Sequence, residues 1–176
     1  MVASMSDVVL VDDVESLFRA HYGRLVRALT LACGDREQAA DAVQEAFVKA
    51  HLRWRRLQHY DDPVGWIRRV AINQLRDDHR RSGRKERALA RLAGTTPTAV
   101  DDHAGAPNEA GITALLAGLP RQQRLTTALY YIDQLTVAEI ATTLEISEGA
   151  VKFHLHAARE RLRTTISGGP DQGGPR

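Results

Sequence analysis

Cysteine is almost absent from this chain: Cys33 is the only one, which excludes an intrachain disulfide and a thiolate cluster for structural zinc. No apolar run approaches the roughly 18 residues that a membrane-crossing helix requires. The N-terminus has no basic stretch leading into an apolar run and a small-residue cleavage site, so a cytoplasmic protein without membrane insertion is expected. Glycine-rich phosphate loops are missing, and His21, His51, His59 and His79 do not stand at metal-ligand spacing with carboxylates. These absences argue for a chain with no catalytic residues, no metal and no cofactor, and against an enzyme.

What the chain does have is helical periodicity and unevenly placed charge. Its 176 residues suit one large domain or two small ones, and a hydrophobic content of 43% is enough for a core. The net charge is only +2, yet nine Arg or Lys between Arg68 and Arg91 face just Asp77, Asp78 and Glu86, while Asp35 to Glu45 is acidic. A basic concentration of this kind is the footprint of phosphate contact, although a solvated helix face has the same composition.

In the first block, Val14, Leu17, Phe18, His21, Leu25, Val26 and Leu29 recur at helical spacing, and Gly34-Asp35 stops that helix and caps the next. Val43, Ala46, Phe47, Ala50, Trp54 and Leu57 keep one apolar face across about four turns. "HYDDPVG", His59 to Gly65, reads as a loop in which Asp62 caps a third helix and Pro63 takes its first position, where the missing amide costs nothing. Trp66, Ile67, Val70, Ala71 and Leu75 form that helix's buried stripe. Arg68, Arg69, Asn73, Arg76, Arg80 and Arg81 are expected on its other sides. No alternating strand pattern appears in this block.

Beyond Arg91 the chain turns to "AGTTPTAVDDHAGAPNEAG", too poor in large apolar groups to offset the entropy of ordering it. Periodicity returns at Ile112, Leu115, Leu116 and Leu119, breaks at Pro120, and resumes with Leu125, Ala128, Leu129 and Ile132. The tail "SGGPDQGGPR" is expected to be disordered. An all-α protein results, with two small helical domains joined by a flexible linker: residues 12–85, a linker over 86–110, a second domain over 111–166 and a tail over 167–176.

The second domain ends in "TVAEIATTLEISEGAVKFHLHAARERLR". Thr136 and Glu139 form a capping box, so a helix starts there, with Val137, Ile140, Ala141 and Leu144 on its apolar face. Ser147 caps a second run carrying Ala150, Val151, Leu155, Ala158 and Leu162. Only Glu145 and Ile146 turn the corner between them. Two helices so closely joined make a helix-turn-helix, whose second helix can lie in the major groove, though an ordinary helical hairpin with a solvated basic face has the same pattern.

Taken together, "ADAVQEAFVKA" with "DPVGWIRRVAINQLRDDHRR" resembles the second conserved domain of bacterial sigma factors, and "LPRQQRLTTALYYIDQLTVAEIATTLEISEGAVKFHLHAARERLR" resembles their fourth. Order, spacing and linker are similar to the extracytoplasmic-function class, which keeps only those two domains, and the resemblance covers about residues 14 to 166. It implies a sigma factor that binds core RNA polymerase and directs it to promoter DNA with minus-ten and minus-thirty-five elements. By the same resemblance, Asp41, Gln44 and Glu45 would meet the polymerase clamp, above a buried Phe47. Arg69 and Asn73 would lie on the helix that reads the minus-ten element, with Arg76, Arg80 and Arg81 on phosphates.

The loop bearing His59, Tyr60 and Asp61 would hold a base flipped from the non-template strand, unless it is merely a capping loop. Ser147, Lys152, His154, His156 and Arg159 would meet the minus-thirty-five element, Lys152 and Arg159 on phosphates and the two histidines on base edges. An anti-sigma factor is the further partner the resemblance implies. The departures are Phe153, His154 and Ala157, which stand where Ser, Arg and Arg are usual, Glu145 where Gly is frequent, and His51 where Trp is common. The competing reading is a dimeric helix-turn-helix regulator of the response-regulator type that does not bind polymerase core; a receiver domain, however, needs strands.

Overall fold

The computed structural model describes residues 14–93 and 110–167, and among them there are helices and no strands. The first domain holds α1 (Val14–Cys33), α2 (Arg36–Leu52), the single turn α3 (Trp54–Leu57) and α4 (Pro63–Ala93). The second holds α5 (Ala110–Ala117), α6 (Arg121–Tyr131), α7 (Val137–Leu144) and α8 (Glu148–Ser167). The helix α4 runs past residue 85, into the stretch assigned to the linker; the rest of that stretch and the tail beyond Ser167 lie outside the described residues.

Local chemistry sets most of these boundaries. α1 ends because Gly34 adopts a positive φ of 86° and its amide returns to the Thr30 carbonyl at 2.6 Å, a conformation that favours glycine. Asp35 then caps α2, its carboxylate accepting from the Glu37 and Gln38 amides at 2.8 and 3.0 Å. At α4, the Gly65 amide donates to Asp62 Oδ1 at 2.7 Å. A β-carbon on Gly65 would stand 1.9 Å from Asp62 Oδ2, so a side chain there and the cap exclude one another.

One boundary differs from the sequence reading. The apolar stripe from Val43 to Leu57 is divided at Arg53, where φ is −110° and ψ is 10°. The Arg53 amide is shared between the Lys49 and Ala50 carbonyls at 3.2 and 3.1 Å, which tightens the last turn of α2 and redirects the chain. Leu57 is nevertheless buried, because α3 starts a new helix with its own direction.

In the first domain α1 packs on α2 and α2 on α4; in the second, α8 packs on α6 and α7. The two cores are continuous. α1 lies against α6 and α4 touches α7, so Leu25, Leu29 and Ile67 belong to the same apolar cluster as Leu125, Leu129 and Val151. This docking has a clear mark on α6, where every residue from Gln123 to Leu129 is buried. That stretch is nearly two turns, so α6 is covered on all sides.

Docking also corrects an expectation. Arg68, expected toward solvent, is 5% exposed and donates from Nε to Asp133 Oδ2 in the second domain. Arg24 on α1 approaches Asp133 Oδ1 at 3.1 Å as an ion pair, and the Asp133 carboxylate is fully buried between them. Burial and the neighbouring charges of Arg24 and Arg68 lower the pKa of His21, whose Nδ1 lies 3.0 Å from Arg24.

Candidate nucleic-acid interface

Successive helical steps of three and four residues place Arg69, Asn73, Arg76 and Arg80 on one outward stripe of α4. Asn73 and Arg80 are exposed; Arg69 and Arg76 are half-buried. Arg81 falls beside this stripe. Arg80 and Arg81 reach Asp77 and Asp78 only loosely, at 3.8 Å each, and exposed pairs of this kind contribute about 0–1 kcal/mol, so both guanidinium groups are readily released to phosphate.

The loop before α4 brings His59, Tyr60 and Asp61 together with Arg69 and Trp66 around a cleft of about 470 Å³. Beside it, sharing Tyr60 and Trp66, lies a second cleft of about 500 Å³ lined by Arg53, Arg55 and Arg56. The Arg53 guanidinium sits over the Trp66 ring at 5.9 Å. Paired aromatic and cationic walls suit unstacked bases, whose faces stack while their phosphates meet charge. Sequence reasoning missed Arg53, Arg55, Arg56 and Trp66. The signal was present in "RWRRL", where three arginines surround a tryptophan, but only the redirection at Arg53 turns them toward the loop.

In the second domain the helix-turn-helix is built as its capping residues dictate. Thr136 Oγ1 accepts from the Glu139 amide at 3.2 Å, and the Thr136 amide donates to Glu139 Oε2 at 2.7 Å. That amide bond foremost, and the one the Thr136 hydroxyl donates to Glu139 Oε2 at 2.7 Å, hold the Glu139 carboxyl below its ordinary pKa. Glu145 ends α7 in the left-handed conformation, φ 58° and ψ 44°, and the Ile146 amide closes the turn on the Ala141 carbonyl at 3.1 Å. Ser147 then caps α8 through the Ala150 amide at 3.1 Å.

The recognition helix buries Val151, Leu155 and Ala158 and turns Lys152, Phe153 and His156 outward. Lys152 is held only by Glu148, at 3.7 Å. His154 is half-buried, its Nδ1 enclosed without a hydrogen-bond partner and its ring 5.7 Å from that of Phe153. Arg159 shares the outward stripe, seven residues from Lys152 and three from His156, and is exposed; its Nε donates to the Tyr131 hydroxyl at 2.9 Å, and its guanidinium lies 5.9 Å from the Tyr130 and Tyr131 rings. It borders an apolar groove of about 560 Å³ that also takes in Leu116, Tyr131, Leu162 and Ile166.

On the other side of the first domain, α2 buries Ala42, Val43, Ala46 and Phe47. Phe47 meets Phe18 edge-on at 5.1 Å, and Phe18 stacks on Tyr22 at 4.4 Å. Asp41 and Gln44 are exposed and Glu45 is half-exposed, its carboxylate 2.7 Å from Lys49. Cys33 is half-buried with its thiol donating to the Asp35 carbonyl at 3.1 Å, and burial raises its pKa. Among the described residues no group of three His, Cys, Asp or Glu is arranged to hold a metal, and no helix is long and apolar enough to cross a membrane.

The Sigma-70 region 2 family model matches residues 17–85, and the Sigma-70 region 4 model matches residues 110–162. Two such domains in this order, the first with an aromatic, basic cleft and the second with a helix-turn-helix, define a sigma-70 protein. Within that class the chain belongs to the ECF RNA polymerase sigma factors. It is 32% identical to SigM of Mycobacterium tuberculosis over 84% of its length and 74% of that protein's. It is 30% identical to SigE of Mycolicibacterium smegmatis over 87% of its length, spanning 61% of that relative. Among solved structures it is similar to the sigma factor RpoE of Bartonella quintana, determined in complex with the anti-sigma factor NepR. The TM-score is 0.73 over 89% of this chain and 98% of that one, and at 19% identity the likeness is one of fold. The relatives are sigma factors, which are not catalytic proteins.

Proposed function

We propose that this chain binds core RNA polymerase through Asp41, Gln44 and Glu45 and directs it to promoters carrying minus-ten and minus-thirty-five elements. In this reading Asn73, flanked by Arg69, Arg76 and Arg80, reads the minus-ten element, and His59, Tyr60 and Asp61, with Trp66, accept a flipped base. Arg53, Arg55 and Arg56 attract the separated strand beside them. Ser147, Lys152, His156 and Arg159 meet the minus-thirty-five element, with His154 beside them. The protein catalyses nothing itself, works in the cytoplasm with the polymerase, and is held in check by an anti-sigma partner, as its structural relative is in complex with one.

The observation that carries the reading is the division of the first domain's surface. A polar, acidic face on α2 and a basic stripe on α4 belong to one small helical unit, so a protein and a nucleic acid can be held at the same time. In vitro transcription with purified core polymerase tests it. Promoter-specific transcripts are expected only when the chain is added, and Asp41→Lys with Glu45→Lys should lower core binding with the melting temperature nearly unchanged. Surface changes of that kind alter stability by no more than about 0.5 kcal/mol. Sequence-specific DNA binding without any association with core would favour the regulator reading instead.

A further inference from the structure

Phe153 is a large apolar side chain left 64% exposed in the middle of a recognition helix. Counting 100° per residue, it stands about 170° round α8 from the buried stripe of Val151, Leu155 and Ala158, facing straight out of the domain. Lys152 and His156 lie along one side of it, about 100° and 60° round the helix, so whatever covers it carries negative charge along that edge and an apolar group against the ring. In the major groove the apolar group on a base edge is the thymine 5-methyl, with phosphates on either side. We propose that Phe153 is a specificity-determining residue that packs on a thymine methyl in the minus-thirty-five element.

This rests on the sigma-factor reading, and the test separates the two. Holoenzyme made with the full chain would select a promoter from a random library, after which each thymine of its upstream element is replaced singly by deoxyuridine, which lacks only the methyl. One replacement should weaken binding by wild type about five-fold, the equivalent of about 1 kcal/mol. Phe153→Ala should bind the unmodified promoter about as weakly and be indifferent to that replacement. The proposal is overturned if no deoxyuridine weakens wild type, or if the penalty persists in Phe153→Ala. Failure to enrich any upstream element would instead overturn the assignment of α8 to promoter reading.

A second, independent observation concerns the docked domains. On the sigma-factor reading, elements named for positions minus-ten and minus-thirty-five lie about 25 base pairs apart, about 85 Å at 3.4 Å per step. A compact chain of this length is only about 40 Å across. One docked molecule therefore cannot meet both elements on one duplex. The interface itself is suited to water as well as to burial: Gln123, Arg124 and Thr127 on α6 are buried, yet among the described residues Gln123 Oε1, Arg124 Nε and Nη1, and Thr127 Oγ1 find no hydrogen-bond partner. Unpaired buried donors weaken the docked state relative to an open one in which water satisfies them.

The geometry points to Asp133 as the latch of a self-closed form, holding Arg68 of the promoter-reading helix and Arg24 of α1 until polymerase and DNA draw the domains apart. Spin labels at Ala20→Cys on α1 and Thr142→Cys on α7, in a Cys33→Ser background, would report the separation. The free chain should give one short distance, and Asp133→Asn a longer, broader distribution with circular dichroism unchanged. Arg68→Gln, acting from the opposite side, should do the same, and both variants should associate with core polymerase several-fold faster. A long distance in the free wild-type chain, or unchanged distances in both variants, would overturn the latch whatever the outcome with polymerase.

Discussion

The two helices proposed to meet DNA, α4 and α8, make an instructive pair. α4 presents arginines around the exposed Asn73, and the buried Arg68 ties its base to the other domain. α8 presents Lys152, His156 and an exposed phenylalanine, with Arg159 held to a tyrosine hydroxyl and Arg161 and Arg163 exposed further along. Charge dominates the first helix, shape and apolar contact the second. Phosphate contacts position a protein while base contacts specify, so on the proposed reading α4 supplies mainly affinity, and α8 adds discrimination through Phe153.

The comparison is broken most severely by loosening α4. Ile67→Ala, at a site with no exposure, should cost about 2–5 kcal/mol in chemical denaturation, whereas Val151→Ala under α8 removes fewer carbons and should cost less. The next effect sharpens the division of labour along α4. Asn73→Ala should leave unfolding nearly unchanged but cost about 1–3 kcal/mol on the best minus-ten sequence and less on others, as measured by binding to a promoter library. Arg80→Ala with Arg81→Ala should weaken all promoters alike and lower the salt slope by about one unit per lost phosphate contact.

Smaller effects probe the support of α8. Thr136→Ala removes the cap of α7 and should cost about 1 kcal/mol of stability. Since the folded state lowers the Glu139 pKa, that carboxylate's contribution is fully present above its ordinary value of 4.5 and is lost as pH falls through the lowered one. In Thr136→Ala the acid-induced loss should shrink, which urea melts at descending pH would reveal. The smallest change is a gain: Glu145→Gly relieves a left-handed residue and should stabilise the chain by up to about 1 kcal/mol, measured by thermal melting.

Much of the site was legible because its determinants are local. Asp62, Thr136 with Glu139, and Ser147 each cap a helix through an amide within three residues of itself, so spacing alone places them. Glu145 likewise announced its strained conformation by standing where the turn needs a left-handed residue. Gln134, with a φ of 58°, gave no such sign, since only the closing of Leu135 on the Leu129 carbonyl at 3.1 Å demands it. The redirection at Arg53 was hidden too, because neither proline nor glycine marks it and the apolar spacing continues through it.

By itself, then, the sequence determined the helices, their caps, the two-domain order and the outward stripes of α4 and α8, all consequences of residues three to seven positions apart. Only the tertiary structure decided that Arg68 faces a carboxylate rather than solvent. Its partner Asp133 lies 65 residues away, and no periodicity on α4 distinguishes Arg68 from the exposed arginines beside it. Only tertiary structure, too, surrounds α6: its amphipathic pattern specifies one buried face, and the second is buried because α1 of the other domain covers it. Burial of a polar face depends on what approaches it, and that is a property of the assembled chain rather than of any segment.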